Sequence, residues 1–201
     1  NGKVVRTCTY DHSDLFKSCV DNYKKLTGVT DLRKATTPFL DDKVAVKDDG
    51  DKPGTLSRVA CSVLMQILYG ARTARFDLLK VVQGLATKVS KWTLECDRRL
   101  HKLACYINTT CDVKMSGYVG DELKDLSIRV YADADFATDA DAKSVSGVFE
   151  VLYGPNTFFP LAAYSRKQTC VSHSSTGSEI VAADAAVGTE ALPILDLLNH
   201  L

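Results

Sequence analysis

The stretch Tyr131-Ala132-Asp133-Ala134-Asp135-Phe136-Ala137 places two carboxylates at i, i+2 in a β-type run. Alternation along a strand puts such a pair on one face, where it could hold a cation or simply solvate a strand exit. Three further segments follow in order: Lys143-Ser144-Val145-Ser146-Gly147, Tyr164-Ser165-Arg166-Lys167-Gln168, and Val171-Ser172-His173-Ser174-Ser175-Thr176-Gly177-Ser178-Glu179-Ile180-Val181-Ala182-Ala183. The last places Glu179 near the start of an Ala-rich helix. His173 stands six residues before Glu179, which suits a solvated or capping histidine better than a proton shuttle.

The elements that must position these groups are legible from periodicity. Leu15, Phe16, Cys19, Val20, Tyr23 and Leu26 recur at helical spacing over residues 12–26, after Ser13 or Asp11 as a cap. Residues 41–54 read as an exposed acidic loop closed by Pro53-Gly54. A helix opened by Thr55 or Ser57 follows, with Val59, Ala60, Val63, Leu64, Ile67 and Leu68 inward. After a link over Gly70–Arg75 comes a second helix, through Phe76, Leu79, Val82, Leu85 and Val89. Thr93 caps a third, through Leu100, Leu103, Ala104 and Ile107. Past Cys111 the pattern turns to strands over 113–119, 127–132, 145–153 and 157–164, with Gly154-Pro155-Asn156 as a hairpin turn. A helix from Ser174 runs to the end, with Pro193 a kink or break. The fold class expected is α+β: a helical bundle, then three antiparallel strands and a helix. Such a sheet needs its open edge completed by further chain or by a partner.

Charge is unevenly placed. The 201 residues balance 25 basic against 25 acidic groups, which excludes a globally basic nucleic-acid coat. Residues 1–57 hold 10 basic and 9 acidic groups, 58–114 hold 10 and 4, and 115–201 hold 5 and 12. A basic middle and an acidic end would suit phosphate contact in one part and cation binding in another; ordinary solvated helix faces are the simpler alternative. Trp92 in the basic part could stack on a base, but a lone aromatic is more often buried. The seven cysteines form no C-x-x-C pair and read as reduced, buried thiols of an intracellular compartment; Cys96, His101, Cys105 and Cys111 lack structural-zinc spacing. No apolar run approaches the ~18 residues of a membrane span. The chain opens at Asn1 without Met or a leader pattern, as expected of a trimmed or processed piece.

The ordered series resembles the ribonuclease H domain of copia-type retrotransposon polyproteins. There, a strand ending in Y-x-D-A-D-aromatic-A is followed by an R-S-T-S-G strand, an S-K/R-K-Q segment and an S-S-T-E-A-E-Y-V/I-A helix. Upstream, Thr36-Thr37-Pro38 resembles the family's S-T-P. The runs Leu56–Leu64, Leu68–Arg72 and Arg75–Asp77 resemble its Y-R-x-x-V-G-x-L-x-Y-L-x-x-T-R-P-D-I stretch, and Leu100–Ile107 resembles A-x-x-R-V/I-L-R-Y-L. The likeness covers about residues 12–200. It implies three regions: 1–54, the end of a palm or thumb-like segment; 55–112, a helical connection region; and 113–201, a partial ribonuclease H-like domain.

By the same resemblance Asp133 and Glu179 are Mg²⁺ ligands for two-metal hydrolysis of RNA in RNA–DNA hybrids. Gly177 replaces a frequent Glu that is not a ligand. Arg72, Arg75, Lys88, Lys91, Arg98, Arg99 and Lys102 are expected to contact the hybrid backbone. The family's remaining two carboxylate ligands and its polymerase aspartates have no counterpart in the 201 residues, so the chain is expected to be inactive by itself. The alternative is a non-catalytic structural subunit descended from such a polyprotein, with protein partners covering its sheet edge.

Overall fold

The computed structural model describes residues 4–40, 52–137 and 142–200. It is a mixed α+β chain that divides into two compact units, one of residues 11–114 and one of residues 1–10 with 115–201. The boundary expected at residue 54 does not separate compact units, and Arg6–Tyr10 belong with the sheet. Most of the acidic loop expected over 41–54 lies outside the described residues.

The helical unit forms where apolar side chains recur every three or four residues. In α1 (Ser13–Thr27) Phe16, Cys19, Val20 and Tyr23 are buried. Asp11 accepts hydrogen bonds from the Ser13 backbone N–H (3.0 Å) and hydroxyl (2.6 Å) just before the first turn. Gly28 ends the helix at φ 73°, a left-handed conformation that costs glycine nothing, and its N–H returns to the Lys24 carbonyl. The next helix, α2 (Ser57–Ala74), runs straight through the link expected at Gly70. A side chain there would strike Phe16 at 2.7 Å and Leu15 at 2.9 Å, so Gly70 permits close packing of α1 on α2. Beyond a 3₁₀ turn come α3 (Leu79–Ala86), a second 3₁₀ turn at Val89–Lys91, and α4 (Leu94–Thr110).

Thr93 caps α4, accepting from the Cys96 N–H. Neither Thr55 nor Ser57 caps α2 with its side chain; Asp97 of α4 does the work from a distance. Its carboxylate accepts from the Thr55 N–H (2.7 Å), the Thr55 hydroxyl (2.9 Å), the Leu56 N–H (3.2 Å) and the Trp92 indole N–H (2.6 Å). Trp92 is buried, as core packing requires. One carboxylate thus ties the start of α2, the turn before α4 and α4 itself, neutralising the orphan donors of a helix N-terminus.

Among the described residues the sheet unit has five antiparallel strands in the order β1-β2-β5-β4-β3: β1 (Arg6–Tyr10), β2 (Met115–Val119), β3 (Ser127–Asp135), β4 (Val145–Gly154) and β5 (Thr157–Lys167). β1 was not anticipated from the sequence. Asp121 secures the β4–β5 hairpin, accepting from the Asn156 N–H (2.6 Å), the Asn156 side-chain amide (2.8 Å) and the Thr157 hydroxyl (2.8 Å). Then α5 (Ser175–Ala186), capped by the Ser174 hydroxyl, passes through a π-helical turn at Val187–Ala191 into α6 (Leu192–Asn199). Pro193 lies in the first turn of α6, so the chain meets its missing N–H with a π turn rather than a break. All seven cysteines are free; Cys19, Cys96 and Cys105 are buried, while Cys8, Cys61 and Cys170 are exposed. No helix among the described residues is long and apolar enough to cross a membrane.

Candidate functional site

Strand register decides where the acidic residues point. Asp133 pairs with Gly147, Asp135 with Val145 and Tyr131 with Phe149, whereas Ala132 pairs with Val148 and Ala134 with Ser146. Directly opposed residues share a face and neighbours along a strand alternate, so Asp133 and Asp135 lie on one face and Ser146, Val148 and Glu150 on the other. The second face carries α5. Gln168, buried at the end of β5, donates to the Ser146 hydroxyl (2.9 Å) and to the Ser178 carbonyl of α5 (2.9 Å), clamping strand and helix together.

Around α5 the sheet-facing residues are Ser178, Ala182 and Ala186, small enough for close approach. Val181 and Ala185 flank them on the β5 side, where with Tyr164, Arg166 and Thr189 they line a groove of about 200 Å³. At about 100° per residue, Glu179 falls on the opposite flank, toward β3. Both carboxylates are exposed.

The structure therefore brings Asp133 and Glu179 to the same edge of the sheet, but the pleat turns Asp133 away from the face that α5 covers. A cation shared by the pair would sit around the outer edge of β3, which among the described residues has only β4 as a hydrogen-bonded neighbour. As donors, two exposed carboxylates suit a single Mg²⁺ that keeps several waters, not a closed two-ion cage. Among the described residues no group of three or more His, Cys, Asp or Glu is placed to hold a metal ion.

The basic set separates into groups with different surroundings. Arg75 is a correction to the sequence reading: it is 2% exposed and belongs to the interior of the helical unit. Its guanidinium donates to both Asp77 carboxylate oxygens (2.9 and 2.8 Å), to the Thr110 carbonyl (2.7 Å) and to the Thr110 hydroxyl (2.9 Å). It also lies 5.5 Å from the Phe16 ring centroid and 5.7 Å from that of Tyr106. Burial works against the charge, but the Asp77 carboxylate outweighs it and keeps the Arg75 pKa above its ordinary value. For Asp77 burial is likewise overcome by Arg75, and its pKa is lowered. Four of its five N–H donors are spent inside the fold, and its burial keeps the guanidinium from a phosphate.

Arg99 pairs with Glu95 one turn earlier, its Nε 2.6 Å from a carboxylate oxygen. Arg98, Arg99 and Lys102 occupy neighbouring positions of α4, outside its buried stripe of Cys96, Leu100, Leu103, Ala104 and Ile107. Lys88 and Lys91 are exposed at the 3₁₀ turn before α4, and Arg72 is exposed near the end of α2.

His101 contacts the Tyr23 hydroxyl through Nδ1 (3.0 Å) and the Cys105 thiol through Nε2 (3.5 Å). Burial, then the charge of Arg33, lowers the His101 pKa, while burial pushes the Tyr23 phenol up to about 12. With Cys105 almost fully enclosed, this is a packed polar contact rather than an accessible nucleophile. Cys96 sits against Thr93.

Sequence reasoning did not find Asp97, the clamp made by Gln168, or a buried carboxylate at Glu150. The signal for the first was its position in the first turn of a capped helix. For Glu150 it was a charged residue between Val148 and Leu152 in an otherwise apolar alternation. Comparison of the chain with protein-family models, curated proteins and solved structures finds no match in any of the three.

Proposed function

We propose that the chain is the connection region and first part of the ribonuclease H domain of a copia-like reverse transcriptase, binding RNA–DNA hybrid through its helical unit. The observation that carries this reading is the order of elements around the motif residues. The Tyr131–Ala137 stretch closes an edge strand, two antiparallel strands follow, and a Ser174-capped helix then brings Glu179 to the flank beside that strand. The Gln168 clamp gives the Tyr164–Gln168 motif a physical purpose in this arrangement. Backbone contact falls to Arg72, Lys88, Lys91, Arg98, Arg99 and Lys102, without Arg75. When bound at the β3 edge, Mg²⁺ would supply charge stabilisation at a phosphodiester, held by Asp133 and Glu179 through their carboxylates.

The test is a salt titration of RNA–DNA hybrid binding with the 201-residue chain. Affinity should fall steeply with salt, and Lys88→Ala with Lys91→Ala should reduce the log–log slope by about 2, one per lost phosphate contact. Weak, salt-insensitive binding would remove the nucleic-acid reading. A second reading, a non-catalytic subunit whose basic residues serve protein contacts, is favoured by the internal use of Arg75 and the Arg99–Glu95 pair. That reading expects no salt slope and a partner chain on the β3 edge.

A further inference from the structure

On the α5 side of the sheet, β4 alternates Ser146, Val148, Glu150 and Leu152, and Glu150 is the one ionisable residue among them. It is 0% exposed, and neither carboxylate oxygen has a hydrogen-bond partner. A buried ionised carboxylate without a partner is so costly that the group takes up a proton instead. Each element packed around it lacks a compensating cation. The π turn presents Glu190, a like charge; α5 carries Glu179 and Asp184, both exposed; α6, which continues the chain from the π turn, carries Asp196, with His200 bonded to the Asp196 carbonyl. On β3, Arg129, Asp133 and Asp135 belong to the opposite face. On β5, Tyr164 and Arg166 share the Glu150 face, but Glu150 pairs with Ala162, so Arg166 is four residues, about 13 Å, along the strand.

We propose that the docking of the Val187–Asn199 segment is proton-linked: Glu150 carries a proton while the segment is seated, and loss of that proton to solvent releases it. Water can reach an ionised Glu150 most cheaply by this route. β4 is held between β3 and β5, and α5 is fixed by Ser174, the Gln168 clamp and its buried stripe. The π turn buries only Ala191, and α6 buries no residue, with Leu192 56% and Leu197 60% exposed. The π turn is also a local departure from regular α-helical bonding between α5 and α6, which makes it the natural place to yield. Burial first, then Glu190, raises the Glu150 pKa. The sign follows: the seated state is fully favoured at low pH and loses stability as pH rises through the raised value.

Amide hydrogen exchange of the intact chain, corrected for intrinsic rates and followed from mildly acidic to mildly basic pH, tests this. Protection of residues 187–199 should fall with rising pH in the wild type while β4 and β5 stay protected. Glu150→Gln should abolish that pH dependence. Glu190→Gln, at a half-buried position of the π turn, removes a like charge that raises the Glu150 pKa and should narrow the pH span over which protection is lost, ending it at lower pH. A pH dependence unchanged in Glu190→Gln, or protection of residues 187–199 that does not vary with pH in the wild type, overturns the proposal, whether or not Glu150→Gln folds.

Discussion

Arg75 separates a structural arginine from a backbone-contacting one, and replacing it is decisive. Arg75→Ala removes two charge-assisted bonds to Asp77 and two bonds to Thr110, and takes a guanidinium from beside Phe16 and Tyr106. Charge-assisted bonds contribute about 1.5–3 kcal/mol each, but Asp77 is 41% exposed and regains water, so its share falls to the lower end. The Thr110 carbonyl and the vacated volume add to the loss. A total of about 3–4 kcal/mol follows, a large part of the stability of a domain this size. Arg75→Lys keeps a charge but loses the planar fork that serves Asp77 and Thr110 together, so about 2 kcal/mol is expected.

Urea unfolding followed by tryptophan fluorescence is the assay. Trp92 is the only tryptophan, and it reports on the helical unit alone. The midpoint should fall with an unchanged m value, while the salt slope of hybrid binding, measured well below the new midpoint, stays as in the wild type. Stability within about 0.5 kcal/mol of wild type, together with a slope reduced by about 1, would refute the reasoning and return Arg75 to the surface.

Asp97→Ala strips four donors of their acceptor and should lower the unfolding free energy read by the same urea assay by about 3 kcal/mol, with a shift in Trp92 emission as the indole N–H loses its partner. Gln168→Leu should destabilise the sheet unit by about 1–3 kcal/mol and free the start of α5, seen as faster amide exchange over residues 175–182. The lowered His101 pKa means a contribution to stability that is present above the ordinary histidine value and lost as pH falls through the folded one. An NMR titration of the ring should give a folded pKa below that of a free histidine, and an unshifted titration would remove this contribution. The 201-residue chain should not cleave an RNA–DNA hybrid with Mg²⁺ or Mn²⁺; cleavage abolished by Asp133→Asn would mean that a partner supplies further ligands.

Amphipathic periodicity alone carried most of the helical unit. The stripe Phe16, Cys19, Val20, Tyr23 and the α4 stripe ending at Ile107 are buried where their spacing put them, because a helix facing a core must repeat its apolar residues at about 3.6. The three strands β3, β4 and β5, their hairpin turn and the start of the last helix at Ser174 were legible for the same local reason. β1 was not. Its residues Arg6–Tyr10 alternate, but a five-residue segment becomes a strand only when β2 is there to pair with it, over a hundred residues later. Gly70 likewise reads as a break until α1 comes close enough to need a residue without a side chain.

The chemistry divides the same way. Residue types and order named Asp133, Glu179 and the basic set, since those depend on composition. Which face Asp133 takes was decided by strand register, and a change of one residue would have turned it toward α5. Whether Arg75 meets solvent or Asp77 was decided by the packing of α1, α2 and α4 around it, and whether Glu150 is charged by what lies over it. A sequence states what groups a chain has and how often they recur. Desolvation and the direction of each polar side chain depend on neighbours distant along the chain, and only the tertiary structure brings those together.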